Sequence, residues 1–319
     1  MGDPRVQPAT TTPPARDRPP AGGDRPTNLS RFVLPLLWAT LPFVAGPAFA
    51  DALGPQVRAV QVVASAGLWL AWVVALGAAL VPRTVSLTVV RIIMPAAVPA
   101  AIWAAVATPT FDVAAVVALA SATIVTVAVL APFTGDLMVN GSAYGDERRM
   151  PLRAPAGLMV GPLELAWLVC VAGASAGPLL LASSAWVLGG LALVVGWSAA
   201  YVAGRALHGL SERWIVFVPA GFVLHDQMTI ADPMLIPRRM VASMGPAPAD
   251  TRATDFTAGS LGLALQVELN DPVEVAPIPR RTRPGQRPTL ESVEVTAFLC
   301  TPTRPGAVLR EARARRLPA

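Results

Sequence analysis

Two charges stand inside otherwise apolar stretches of the chain, Arg91 and Glu164. Arg91 lies eight residues beyond Arg83, and Glu164 eleven beyond Arg153. If both stretches are helices starting at the same membrane face, a rise of about 1.5 Å per residue places both charges about 12–16 Å deep. A charge at mid-bilayer costs roughly 2.5–3.5 kcal/mol on insertion scales, so it is expected to pair or to face a polar cavity. Similar depth and opposite sign predict an Arg91–Glu164 bridge. Pro95 removes the donor for the carbonyl of Arg91, Pro99 does so for Pro95, and Pro162 for Leu158. A kinked third helix beside a kinked fifth would frame a polar pocket. Such a pocket serves assembly or the passage of a small solute or ion. The plainer alternative is that Arg91 snorkels and Glu164 is protonated or bonded to backbone.

Patterns for catalysis or metal binding are missing. The two histidines, His208 and His225, fall at the end of the last apolar stretch and at the end of an expected strand. They could complete a zinc site only with acids from elsewhere. No HExxH, GxSxG, Walker A or paired-cysteine motif occurs. Cys170 lies in an apolar stretch and Cys300 in the polar tail, which gives no disulfide framework. The sequence therefore predicts no catalytic residue, no metal and no cofactor. Tyr144-Gly145-Asp146 superficially matches the GxGD of intramembrane aspartyl proteases, but Ala143 stands where the first glycine belongs and no second membrane aspartate answers it.

Positioning Arg91 and Glu164 is the work of six apolar stretches, at about 32–50, 59–82, 84–108, 111–133, 157–182 and 185–207. About 20 apolar residues of helix span a hydrocarbon layer roughly 30 Å thick. Only 14% of the 319 residues are charged, against about 25% in a soluble domain. All 25 basic residues are Arg, and with the wealth of Ala, Val, Pro and Gly this suggests a GC-rich bacterial coding sequence. Residues 1–30 hold seven prolines and seven charges, and predict a disordered tail.

Arginine placement sets the threading. The N-terminal tail carries Arg5, Arg16, Arg18, Arg25 and Arg31; loop two carries Arg83, loop four Arg148, Arg149 and Arg153, and the last helix leaves past Arg205 and Arg213. The alternate loops hold only Arg58. By the positive-inside rule both termini, loop two and loop four face the cytoplasm of a plasma-membrane protein. Ala48-Phe49-Ala50 also fits a signal-peptidase site, although Trp38, three prolines and a long proline-rich leader argue against cleavage. Gly67-x-x-x-Ala71, Ala199-x-x-x-Ala203, Ala200-x-x-x-Gly204 and Gly189-Gly190 suit close helix packing.

From residue 210 the period changes. Leu261 to Leu269 and Val293 to Leu299 alternate apolar and polar, and Trp214–Val218 and Phe222–His225 read as strands joined by a tight turn. Met240–Met244 and Val273–Val275 add weaker strands, and Thr303 is placed to cap a helix from Arg304 to about Arg316. The expected architecture is an α-helical polytopic membrane protein, residues 31–209, with a cytoplasmic β-rich domain over 210–319 closed by a helix.

Two basic clusters mark the tail: Arg280, Arg281, Arg283 and Arg287 in a Pro/Gly loop, and Arg310, Arg313, Arg315 and Arg316 on the last helix. Each gains about 1 kcal/mol near an anionic leaflet, which makes them candidates for lipid headgroups, while simple solvation is the blander reading. Thirteen Arg against eleven acids leave the tail at only +2, and no aromatics interleave, so nucleic acid is not an expected partner.

Ser211-Glu-Arg-Trp-Ile-Val-Phe-Val-Pro-Ala-Gly221, Gly141-Ser-Ala-Tyr-Gly-Asp-Glu-Arg-Arg149 and Thr301-Pro-Thr-Arg-Pro-Gly306 together resemble an uncharacterised family of actinobacterial multi-pass membrane proteins, which brings no known activity or site residues. The run of strands closed by a helix also resembles bacterial PH-like domains. These readings lead to a membrane scaffold or regulatory protein whose β-domain binds a cytoplasmic partner or the leaflet. The alternative is a carrier or channel around Arg91 and Glu164; against it, four helices precede loop four and two follow, so no matched halves are evident.

Overall fold

The computed structural model describes residues 30–108, 112–278 and 292–319. Among them, six helical spans are long and apolar enough to cross a membrane. The first two are α1 (Ser30–Leu53) and α2 (Arg58–Leu80). The third is interrupted, giving α3 (Thr84–Ile93) and α4 (Ala97–Ala107), and the fourth is α5 (Val113–Leu130). A short α6 (Pro132–Asn140) follows, then α7 (Ala156–Met159), and the last two spans are α8 (Pro162–Ala182) and α9 (Trp186–Ser211).

Proline explains where the spans break. Pro95 cannot donate, and the next turn tightens: Ala96 donates to the Ile93 carbonyl at 3.1 Å and Ala97 to Met94 at 3.1 Å. The Ile92 carbonyl, left without its usual donor, receives the Trp167 indole N–H at 3.0 Å. Pro42 leaves the Trp38 carbonyl open in the same way, and the Trp72 indole fills it at 3.0 Å while Trp38 donates to the Trp72 carbonyl at 2.9 Å. Indole donors thus staple α1 to α2 and α8 to the α3–α4 break, restoring bonds that lipid could not supply.

Leu34, Trp38, Leu87, Met94, Val125 and Val129 fill a core made by α1 to α6. The α8–α9 hairpin packs backbone to backbone instead. A Cβ on Gly173 would lie 2.5 Å from the Gly196 carbonyl, and one on Gly177 2.6 Å from the Leu193 Cα. Of the small-residue spacings expected from the sequence, Ala200 and Gly204 face this hairpin seam, and Gly189 meets Leu181. Gly67 and Gly190 have nothing within 4 Å. The effective motif, Gly173-x-x-x-Gly177, is one the sequence reading passed over.

The β-region contains eight strands among the described residues. An antiparallel sheet runs in the order β1 (Arg148–Pro151), β2 (Trp214–Val218), β3 (Gly221–His225) and β4 (Met234–Pro237). The second sheet contains β5 (Val241–Pro246), β6 (Thr254–Asp255), β7 (Leu265–Val275) and β8 (Val293–Cys300), ordered β5-β7-β8-β6. Both sheets and α10 (Pro305–Ala314) share one core, with Phe217, Phe222, Phe256 and Phe298 linked ring to ring at 5.8–6.4 Å.

Three expectations need correction. The β-region is not confined to 210–319: β1 comes from loop four and pairs along β2 from Arg148 opposite Phe217 to Pro151 opposite Trp214. Its four residues were too short and too charged to show a strand period. The β7 strand begins at Leu265, leaving Leu261 and Leu263 exposed ahead of it. Thr303 does not cap α10; its hydroxyl donates to the Pro151 carbonyl at 3.2 Å, and its N–H to the same oxygen at 2.9 Å. The expected tail over residues 1–30 lies outside the described residues but for Ser30.

Candidate functional site

The structure concentrates its polar chemistry where the bundle meets the sheets. Loop two, α6, loop four and the β-domain share one end: a Cβ on Gly141 would lie 2.2 Å from the Pro82 carbonyl, and Trp214 packs against the helical core. The segment from α6 to α7 is woven into the sheets there. Leu152 N–H donates to the Arg213 carbonyl at 2.9 Å, and Arg153 N–H to the Thr301 carbonyl at 2.8 Å.

Arg213 anchors this weave. Its Nε and Nη2 donate to the two oxygens of Asp226, both at 2.7 Å, and its Nη1 donates to the Arg153 carbonyl at 2.8 Å. Asp226 also accepts the Met228 N–H at 3.0 Å. The two residues are 2% and 1% exposed, so the pair is fully desolvated and must be this well matched to persist. The Cys300 thiol is pushed up to about 12 by burial and then by the Asp226 charge, which makes it chemically inert.

A second clamp ties α6 to α10. Arg304 Nη1 donates to Asp136 Oδ2 at 2.7 Å, while Asp136 Oδ1 is buried with no hydrogen-bond partner among the described residues. Burial raises the Asp136 carboxyl, and the Arg304 hydrogen bond and the charges of Arg304 and Arg148 oppose that shift. Asn140 completes the link by imitating a strand: its amide donates to the Arg149 carbonyl at 2.7 Å and its carbonyl accepts the Arg149 N–H at 2.8 Å. The Arg149 side chain binds Glu147 at 3.0 Å and lies 5.4 Å from the centre of the Trp214 ring.

Arg91 and Glu164 are not brought together. Pro162 begins α8 rather than bending a longer helix, because the residue before a proline disfavours helical backbone. Glu164 therefore sits in the first turn, exposed, with Oε2 accepting the Gly161 N–H at 2.8 Å. The expected depth assumes unbroken helix from Arg153 onward, whereas the chain leaves helical backbone at Val160 and Gly161, between α7 and α8. Arg91 remains half-buried on α3, its Nη2 3.1 Å from where a Gly135 Cβ would be. Its Nε is buried without a hydrogen-bond partner among the described residues.

The histidines converge on Glu212. His208 Nδ1 lies 2.9 Å from the Thr88 hydroxyl and its Nε2 3.4 Å from Glu212 Oε1; His225 Nδ1 lies 2.9 Å from the Glu212 carbonyl. Among the described residues, no group of three His, Cys, Asp or Glu side chains could hold a metal. Arg310, Arg313 and Arg316 are exposed, whereas Arg315 is half-buried, bonded to Glu311 at 2.7 Å and to the Asp146 carbonyl. Arg280, Arg281, Arg283 and Arg287 lie outside the described residues. Sequence reading missed Asp226, Asp136 and Asn140, whose partners are 13, 168 and 9 residues away. No protein-family model, curated protein or solved structure matches the chain.

Proposed function

We propose that this chain is a scaffold or regulatory protein of the plasma membrane, with both termini cytoplasmic, whose β-domain presents a fixed surface to a cytoplasmic protein partner. The observation that carries the reading is β1. A strand from between the helices forms the edge of the first sheet, so the β-domain is joined to the bundle by two chain segments. The Asp136–Arg304 pair and the Asn140–Arg149 bridge add to the hold. That is the build of a platform whose orientation relative to the bilayer is held. Two four-stranded sheets around one core, closed by α10, give the domain the rigidity that such a surface needs. The arginine distribution supports the cytoplasmic assignment, and the exposed Arg310, Arg313 and Arg316 offer anionic lipid headgroups a secondary contact.

The full chain must be tested, because residues 211–319 alone lack β1. A photo-crosslinking residue at exposed Leu235 on β4, or at exposed Leu263, is expected to trap one discrete protein adduct in cells. The Arg213→Ala variant, with its β-domain core broken, should lose that adduct. Absence of any protein adduct, together with solute flux through reconstituted vesicles that depends on Arg91, would move the reading to a carrier.

A further inference from the structure

We infer that Arg91 is a phosphate-binding residue, holding the phosphate of an anionic lipid headgroup or of a soluble phosphate compound at the junction of α3 and α6. The site goes beyond the proposed scaffold role and rests only on the cytoplasmic orientation proposed with it. Among the described residues, the Arg91 side chain makes no hydrogen bond or ion pair, and its Nε is buried. A guanidinium carries five donors in a planar fork suited to a phosphate or carboxylate. Leaving such a group half-buried and unanswered is costly, and a charge inside a membrane protein marks a functional position by default.

The surroundings favour an anion. The Arg91 tip lies against Gly135 of α6, where its Nη2 stands 3.1 Å from the position a Cβ would take, so only a glycine there leaves the guanidinium uncrowded. The carboxylate next along, Asp136, is already bonded by Arg304 and sits in the field of Arg148, so it does not serve as the counter-ion of Arg91. Glu164, the acid expected opposite Arg91, is engaged at the α8 N-terminus. Asp136 thus answers Arg304 and Arg148, and α6 offers Arg91 no carboxylate of its own. A doubly hydrogen-bonded phosphate is a ligand that this fork accepts and that both the inner leaflet and the cytoplasm supply.

The test uses the full protein in maltoside detergent, which carries no phosphate, in three conditions. These are the detergent alone, the detergent with phosphatidylglycerol, and the detergent with inorganic phosphate. At tenfold saturation a bound ligand raises the melting temperature by about 2–4 °C in a chain of this size class. The wild type is expected to show that rise with at least one probe, and the Arg91→Met variant none. Arg83→Gln, at an exposed arginine eight residues away, should keep it. A rise with phosphatidylglycerol alone assigns a lipid headgroup, and one with inorganic phosphate assigns a soluble ligand. Arg91→Met is also expected to equal or exceed the wild type in the detergent alone, where an unanswered charge has been removed. Should that variant fail to assemble, Arg91→Lys decides: it retains the charge without the fork, and its response should fall at least threefold. No rise in the wild type, or an undiminished rise in the variant that assembles, overturns the assignment.

Discussion

The β-domain core and the membrane bundle treat buried charge in opposite ways. In the β-domain, Arg213 and Asp226 are both almost fully enclosed, and each answers the other through two hydrogen bonds of 2.7 Å. In the bundle, Arg91 is half-buried and its Nε has no partner. Water is the reference solvent for the first region, so a charge survives inside only when its partner folds with it. Lipid and its headgroups surround the second, and the partner of a charge there need not belong to the protein. The two native cysteines report the regions separately, since Cys300 is buried in the β core and Cys170 in the α8–α9 hairpin. Temperature-dependent alkylation, resolved by mass spectrometry, therefore reads the opening of each.

The largest expected effect breaks the matched side of the contrast. Arg213→Ala leaves Asp226 buried and uncompensated, which costs about 3–5 kcal/mol. Cys300 should become alkylated well below the wild-type temperature, with Cys170 much less affected. The paired Arg213→Met and Asp226→Leu replacement should recover most of the loss. If Arg213→Ala costs under about 1 kcal/mol, the pair is not what fixes the domain and the contrast with Arg91 disappears.

A smaller effect is expected within the bundle, where backbones rather than side chains make the contact. Gly177→Ala would put a methyl 2.6 Å from the Leu193 Cα and 2.7 Å from its N, so α8 and α9 must separate. Overpacking of this kind costs about 1–3 kcal/mol, and Cys170 should now open first. Gly67→Ala supplies the control. Nothing lies within 4 Å of its Cβ position, so the change should gain up to about 1 kcal/mol of helix propensity. Equal behaviour of the two variants would show that the hairpin seam is not tight.

These contrasts were unevenly legible in the sequence. Long apolar runs, the β2–β3 hairpin and the β8 strand declare themselves through a period of their own, and the structure has them at the expected places. Helix ends were harder, because Pro95 and Pro162 look alike in sequence: the first interrupts a span within the bundle while the second starts one. Glu164 was misplaced for that reason alone. The β1 strand was hidden because its four residues gain their conformation from β2, whose first residue is 63 positions away from Pro151. Arg91 was recognisable as anomalous, while Asp136 was not. A single aspartate after a glycine in a polar segment looks solvated until Arg304, 168 residues on, bonds it.

Asn140→Ala probes the joint between the two regions. The variant loses the amide that pairs with both backbone groups of Arg149, each bond contributing about 0.5–1.5 kcal/mol. Because β1 remains paired to β2, neither cysteine should open much earlier. The loss should appear instead as faster proteolysis between α6 and β1. Unchanged proteolysis would mean that β1 is held by its sheet alone.

Asp136→Asn gives the smallest and most informative shift, because its sign separates burial from pairing. Burial raises the Asp136 carboxyl, with Arg304 and Arg148 opposing. For an acid raised in the folded state, the stabilising contribution is complete below the unfolded value of about 3.9 and is lost as pH climbs through the folded value. The wild type should therefore lose stability relative to Asp136→Asn as pH rises from about 3.5 toward neutrality. Melting temperatures of the two proteins across that range in phosphatidylcholine nanodiscs measure the slope. A wild type that instead gains on the variant with rising pH would show the Arg304 bond at 2.7 Å outweighing desolvation. Asp136 would then belong with Asp226 as a matched charge, and Arg91 alone would stand for the other kind.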